Sequence, residues 1–279
     1  MHPVRFAAMT APGTGTFREL MTLEQVAADF FLGQSPHYPW GRVYGGQVVA
    51  QSLMAAASTV NPEHRVHSLH AYFVLSGTPG EPILFEVDRL REGRSFTTRR
   101  VVARQSGGAI LNLDASFQRH EDDHDTQEAG LPPGLPEPES LPAAEWGGIG
   151  DIREIARSSK EARSQLWMRI RMAPGEEFGD DPVMHACGIA YLSDHNPMDS
   201  ILMSHPEHLS FDQMMTASLD HNIWFHRPAR ADLFNLYDLQ GHGLVNARGM
   251  ATGAIHSRTG VHVATVAQEG LVRSPRSSR

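Results

Sequence analysis

The chain is short of several residue types, and each shortage removes a class of function. Cysteine occurs once, at Cys187, so an internal disulfide framework is excluded and a reducing compartment such as the cytoplasm is expected. Lysine also occurs once, at Lys160 in a polar stretch, and Schiff-base chemistry would have to rest on it alone. Positive charge is scarce: 24 Lys and Arg stand against 32 Asp and Glu, for a formal net charge of −8. A nucleic-acid partner is therefore not expected. No stretch reaches the ~18 consecutive apolar residues of a membrane helix, and Met1–Thr22 lacks the apolar segment of a secretory signal. Metal-ligand spacings, a phosphate-cradling glycine loop and a nucleophile elbow are missing too, so no metal or organic cofactor is expected.

What is present is 279 residues, 41% of them apolar, which suits two domains of ordinary size or one large one. Residues 1–16 are small and rich in Gly, Pro and Thr, and are expected to fray. Phe17–Leu20 reads as a short strand, and Thr22 as the N-cap of a short amphipathic helix reaching about Phe31. After a loop over Gln34–Trp40, Gly45-Gly46 opens a helix through Ser58 with almost no charged face. Such a helix must be wrapped on most sides. Strands follow at about His67–Leu75, Ile83–Arg91, Ser95–Gln105 and Ala109–Gln118, separated by Gly- and Pro-bearing turns. A buried helix followed by antiparallel strands suggests a sheet curled around that helix.

The composition changes over 119–164, first to a run of charge and then to Pro and Glu. This reads as a linker between a unit at 17–118 and a second at 165–273. His124 and Asp125 within it read as part of a solvated tether rather than a metal site. The second unit repeats the order of the first. It has a strand at Trp167–Arg171, a helix over Ala186–Met203, then strands at Thr216–Arg227, Leu233–Gln240, Gly243–His256 and Gly260–Arg273, with Gly241-His242-Gly243 as a hairpin turn. Ser68 and Gln118 in the first copy and Ser218 and Gln268 in the second are each 50 residues apart, at a common offset of 150.

The informative residues are polar ones in elements that ought to be apolar. Asp194 interrupts an apolar helix, and an unpartnered buried carboxylate is too costly to keep. Pro197 clashes with the carbonyl of Ser193, so a break is expected beside Asp194, and capping that break is the plain alternative role for the acid. Period two puts Ser218 and Asp220 on one strand face, and Gln268 lies in the last strand. An acid, a hydroxyl and an amide without a paired His do not make a Ser-His-Asp nucleophile. They suit a held water, with Asp194 as general base and Ser218 and Gln268 orienting it.

Six segments carry a family resemblance: Gly45-Gly-Gln-Val-Val, His67-Ser-Leu-His, Arg94-Ser-Phe-Thr-Thr-Arg-Arg, Ala115-Ser-Phe-Gln, Ser218-Leu-Asp-His-Asn-Ile-Trp-Phe-His and Val266-Ala-Gln-Glu-Gly. In order and spacing, over about Thr22 to Arg273, the chain closely resembles the acyl-CoA thioesterase II family (TesB-like). The resemblance implies an α+β double hotdog, two tandem copies of a helix wrapped by an antiparallel sheet, and hydrolysis of acyl-CoA to free fatty acid and CoA. It places the catalytic Asp on Asp194, in Tyr191-Leu-Ser-Asp, the Thr or Ser on Ser218 and the Gln on Gln268. By analogy it implies a homodimer or homotetramer. With acyl-CoA as substrate, Gly45 and Gly46 become candidates for stabilising the carbonyl oxygen, although a tight turn also explains them. His67 and Arg94 are candidate substrate contacts, and Asp220 supports Ser218 from beside it. Arg91, Arg94, Arg99, Arg100 and Arg104 form the densest basic stretch, readable as CoA phosphate ligands or as solvated strand residues. Cys187 beside His185 reads as a small core residue. The competing readings are an enoyl-CoA hydratase-like hotdog using Asp194-His195 or His70, and a non-hydrolytic acyl-CoA-binding protein.

Overall fold

Thr16 opens the described chain with a capping box: its hydroxyl accepts from the Glu19 amide, and the Glu19 carboxylate accepts from the Thr16 amide. The result is helix α1 (Phe17–Met21), where a strand was expected. The helix expected over residues 22–31 is instead a hairpin of β1 (Glu24–Ala27) and β2 (Phe30–Gly33), turned at Asp29 with φ 62°. An Asp tolerates that left-handed backbone. The hairpin lets β2 pair with a sheet and bury Phe31, which outweighs the local helical periodicity. The computed structural model describes residues 15–38, 40–128, 130–144, 148–158, 160–207 and 211–273. The rest of the fraying-prone N-terminal stretch, residues 1–14, and the Arg-rich tail after Arg273 lie outside them.

Helix α2 (Gly45–Ala57) forms as expected and is followed by β3 (His64–Phe73), β4 (Ile83–Glu92), β5 (Phe96–Gln105) and β6 (Gly108–Arg119). Val49, Ala50, Ala55 and Ala56 have no exposed surface, so the helix is indeed covered all round. Its two buried glutamines are satisfied, while the Ser52 hydroxyl is buried without a partner among the described residues. Tyr38 donates to Gln47 at 2.6 Å, Gln47 donates to Gln51 at 3.0 Å, and Gln51 donates to the Leu20 carbonyl at 2.9 Å.

The second half begins earlier than its composition suggested. β7 (Gly150–Ser158) lies inside the stretch read as linker and pairs with β8 (Arg163–Ile170). Its apolar face is short, since only Gly150, Asp151 and Ile152 are buried, which left little alternation to read. Nor does the remainder of that stretch hang free. Leu131, Leu135 and Leu141 pack against Trp167, Phe234 and Leu236, Trp167 donates to the Pro136 carbonyl at 2.9 Å, and Arg227 pairs with Asp125. The single helix expected over Ala186–Met203 is two, α3 (Pro182–Ser193) and α4 (Pro197–Met203), split where Pro197 predicted. Asp181 caps α3 by accepting from the Val183 and Met184 amides.

The strand expected at Thr216–Arg227 is also two, β9 (Met215–Ser218) and β10 (Asp220–Phe225), interrupted at Leu219. Opposite it, Ser218 faces Gly270 and Asn222 faces Ala267, so four steps on one side match three on the other, a bulge. Ser218 and Asp220 therefore do not share a face. β11 (Asn235–Val245) continues through Gly241–Gly243 with a bulge between Gly241 and Leu244, and the turn to β12 (Arg248–Ser257) is Asn246-Ala247, at φ 49° and 60°. Gly241 is needed for packing instead, because a Cβ there would lie 2.2 Å from the Ser200 carbonyl oxygen on α4. β13 (His262–Arg273) closes the chain.

Among the described residues twelve strands form one sheet in the order β1-β2-β4-β5-β6-β3-β10-β13-β12-β11-β8-β7, with β9 added on β13. Each half is an antiparallel six-strand run, curled around α2 in one and α3 in the other, as a double hotdog requires. The halves join where β3 pairs with β10, His70 opposite Asn222. The matching of Gln118 to Gln268 does not survive this geometry. In β6 it is Phe117, 2% exposed, that faces the core, whereas in β13 it is Gln268, 1% exposed. Among the described residues no helix is long and apolar enough to cross a membrane.

Candidate active site

α2 and α3 pack antiparallel, so the start of α2 meets the end of α3. The approach is close enough to demand glycine. A Cβ on Gly46 would lie 2.4 Å from the Tyr191 carbonyl oxygen, and one on Gly45 would lie 2.7 Å from Asp194 Oδ2. Tyr44, just before α2, donates its hydroxyl to the Tyr191 carbonyl at 2.7 Å and pins the two termini together. Asp194 ends α3 with φ −80° and ψ −4°, in the gap that Pro197 forces.

Burial pushes the Asp194 carboxyl up to about 7. The Gly46 amide, the Gln268 side chain and the Arg42 charge pull it the other way without prevailing. Its Oδ1 is buried without a protein hydrogen-bond partner. Arg42 is held over this corner by donating to the Thr216 carbonyl at 3.2 Å. Gln268 projects inward from β13, and its Nε2 donates to Ser218 Oγ at 2.8 Å. Asp194, Ser218 and Gln268 therefore meet, as expected, and they meet against Gly45 and Gly46 of the other half.

Asp220 serves the same corner indirectly. Its Oδ1 accepts from the Glu269 amide at 2.7 Å, which holds the bulge next to Gln268. Between Asp220 and Asn222 lies His221, fully buried, which the sequence shows only as part of a motif with no assigned role. Its Nδ1 is 2.6 Å from Gln268 Oε1 and its Nε2 is 2.8 Å from Ser193 Oγ. The signal was available. His221 sits between Leu219 and Ile223 at period two, on the face that should be apolar.

His67 and Arg94 are not brought to this corner. His67 contacts Ser116 Oγ at 2.8 Å and the Phe96 ring edge, toward the β4–β5 turn that contains Arg94. That is the other end of the helix pair, where α2 stops. Arg99, 0% exposed, closes it, donating to the Thr59 side chain and carbonyl, to the Arg91 carbonyl and to Glu92. Arg100 pairs with Asp114 and Arg104 with Glu86, so these cations are structural partners across strands. A cavity of about 200 Å³ lies at this end, lined by Ala57, Val60, His64, Phe117 and Val183, with Asp181 engaged in capping α3. It repeats the position of the Asp194 corner without its acid, hydroxyl and amide. His70 faces outward, its Nδ1 2.9 Å from Asn222 Oδ1 and exposed, away from Asp194. Cys187 is fully buried and burial pushes its thiol far up, which leaves no thiolate.

Comparison with known proteins finds relatives along almost the whole chain. Residues 34–118 match the family model described as the acyl-CoA thioesterase N-terminal domain, and residues 118–272 match that of the C-terminal domain. The chain is 35% identical to acyl-coenzyme A thioesterase 8 of Rattus norvegicus, over 93% of this chain and 89% of that one. It is 32% identical to acyl-CoA thioesterase 2 of Haemophilus influenzae, over 91% and 96%. Among solved structures, an acyl-CoA thioesterase II, TesB2, from Mycobacterium marinum superposes with a TM-score of 0.80 at 37% identity, covering 94% of this chain and 99% of that one. A hot dog fold protein from Alicyclobacillus acidocaldarius shares the fold at TM-score 0.76 and 20% identity, covering 93% and 98%.

Proposed function

This chain belongs to the acyl-CoA thioesterase family, and from that membership we propose that it hydrolyses an acyl-CoA to free fatty acid and CoA by direct attack of a water held among Asp194, Ser218 and Gln268. The observation that carries the mechanism is the convergence of a desolvated carboxyl with a hydroxyl and an amide already joined at 2.8 Å. The water gives one hydrogen bond to Asp194 and the other to Ser218 Oγ, whose remaining lone pair is free to accept it. Its own lone pair then faces the thioester carbon.

As the C–O bond forms, Asp194 takes the proton and the carbonyl π electrons move to oxygen. That charge develops at the positive end of α2. The Gly46 amide is turned to Asp194, so the Gly45 amide is the donor offered to the oxygen. Collapse breaks the C–S bond, and the proton on Asp194 is at hand for the departing thiolate. An acyl-enzyme is not supported: Cys187 is buried, and the nitrogens of His221 engage Ser193 and Gln268 rather than Ser218.

Thiol release from a series running from hexanoyl-CoA to palmitoyl-CoA tests the reading. Asp194→Asn is expected to lower kcat by about 10²–10⁴, and full turnover by the folded variant would overturn the mechanism. A homodimer or homotetramer goes with this reading, supported by Tyr72, Val74 and Trp224, which expose apolar surface on the outer face of the β3–β10 seam. Sedimentation velocity checks it. A cytoplasmic site of action is supported by the single, buried cysteine.

A further inference from the structure

We propose that His221 is a positioning residue for the hydrolytic site, a buried imidazole that fixes which end of the Gln268 amide faces Asp194 and Ser218. The inference rests on the mechanism above. A carboxamide has two ends of nearly equal size and opposite polarity, and only one orientation serves this site. An ionised Asp194 accepts hydrogen bonds and donates none, so Gln268 must present its NH2. A flipped amide would set Oε1 against the carboxylate and leave the water's holder without its donor.

While Asp194 is protonated its O–H can donate to a flipped Oε1, so the Asp194 corner alone does not fix the amide through both protonation states. The far side of Gln268 does. With Nε2 on Ser218 Oγ at 2.8 Å, Oε1 lies 2.6 Å from His221 Nδ1, which must therefore carry the hydrogen. Burial lowers the His221 imidazole to about 4, so the ring is neutral and Nε2 is bare. A bare Nε2 needs a donor, and Ser193 Oγ lies 2.8 Å away. Ser193 precedes Asp194, and its single hydroxyl hydrogen is shared between His221 Nε2 at 2.8 Å and the Ala190 carbonyl at 3.0 Å, a bifurcated donor. The polar order thus runs from Ser193 to His221, from His221 to Gln268, and from Gln268 to Ser218 and Asp194. It forms a closed circuit that returns to the residue beside its start. All three side chains that set the order, Ser193, His221 and Gln268, are 1% exposed or less, so water does not substitute for them. Among the charged and titratable groups facing Asp194 are Arg42 and Tyr44 from the segment before α2, where Arg42 donates to the Thr216 carbonyl and Tyr44 to the Tyr191 carbonyl.

The test compares His221→Phe, His221→Asn and Asp194→Asn with wild type, using thiol release from one acyl-CoA between pH 5 and 9 and circular dichroism for folding. Phe removes both nitrogens, and Asn keeps an N–H donor near the place of Nδ1. For His221→Phe, kcat is expected to fall about 10- to 100-fold with KM little changed. The acid limb of kcat/KM is expected to rise by about half to one pH unit, because Asp194 loses the facing NH2. His221→Asn is expected to recover most of kcat and return the limb. Wild-type kcat in folded His221→Phe would overturn the proposal. So would a fall in kcat with the acid limb unmoved, which is what a loosened core gives. If His221→Phe does not fold, failure of His221→Asn to keep the wild-type acid limb overturns it instead. Should Asp194→Asn remain fully active, the hydrolytic reading itself fails, a result distinct from any outcome at His221.

Discussion

In the proposed mechanism Asp194 concentrates the trade between activity and stability in one side chain. Burial raises its carboxyl from 3.8 to about 7, so the base is half formed near neutrality. kcat/KM is expected to climb about tenfold per pH unit below that value and level off above it, measured as thiol release across pH 5 to 9. The linkage to folding has the opposite sense. A group whose folded value lies above its unfolded one contributes stability at pH below about 4, and that contribution is lost as pH rises to about 7. At pH 8 the wild-type protein therefore holds an unfavourable buried charge. Asp194→Asn, inactive, is expected to be more stable there by roughly 1–4 kcal/mol, read from denaturant midpoints at pH 8. Lower stability of the variant at pH 8 would contradict the placement of the acid. Gly45 makes the complementary case. A methyl group there meets Asp194 Oδ2 at 2.7 Å and the Phe73 ring at 2.9 Å. Gly45→Ala is expected to cost at least tenfold in kcat while the helix, which favours Ala, stays formed, and steady-state kinetics beside circular dichroism separate the two. At this scale the sequence was generous where a residue violated its surroundings. Asp194 in an apolar helix, Ser218 and Gln268 were legible for that reason. His221 violated its strand just as plainly, but its role became visible only with both ring nitrogens measured against their partners.

Among the elements, those with strong internal consistency were readable and those decided by tertiary pairing were not. α2 carries no charged residue and was expected from local rules, and Pro197 marked the break after α3, although one helix over Ala186–Met203 was expected where two form. Residues 22–31 suit an amphipathic helix locally, yet they form the β1–β2 hairpin because β4 offers β2 a partner. β7 is half exposed and was hidden in a stretch rich in charge. Arg99 shows how far pairing overrides composition. A basic strand residue, expected at a phosphate or in solvent, is instead the latch on the end of α2. Removing it takes the donor from the Thr59 and Arg91 carbonyls in a part-buried setting and empties the space its fully buried side chain fills. Arg99→Met is expected to destabilise the fold by about 3–5 kcal/mol. Because it lies at the far end of the helix pair, kcat of the remaining folded enzyme should be unchanged. Thermal unfolding together with kinetics below the transition distinguishes this latch from a substrate contact, for which KM would rise instead.

At the scale of the whole molecule, duplication explains why the proposed site is complete at only one of two equivalent corners. The antiparallel helix pair has two equivalent corners. One keeps Asp194, Ser218 and Gln268, while the other has Phe117 facing the core and Arg99 sealing the helix end. The complete corner is not the property of one half, because the acid, hydroxyl and amide come from the second copy and Gly45-Gly46 from the first. The halves are bound by the β3–β10 seam and by α2 lying on α3. Each alone would expose a strand edge and an uncovered apolar helix. Two polypeptides, 15–119 and 120–273, made separately are therefore expected to be inactive and to self-associate. Made together they should pair through β3 and β10 and regain thiol release, with the Gly45→Ala change in the first polypeptide abolishing most of what the pair recovers. Hydrolysis by the second polypeptide alone, at a rate near that of the intact chain, would mean that the start of α2 takes no part in the chemistry and that the second copy is self-sufficient.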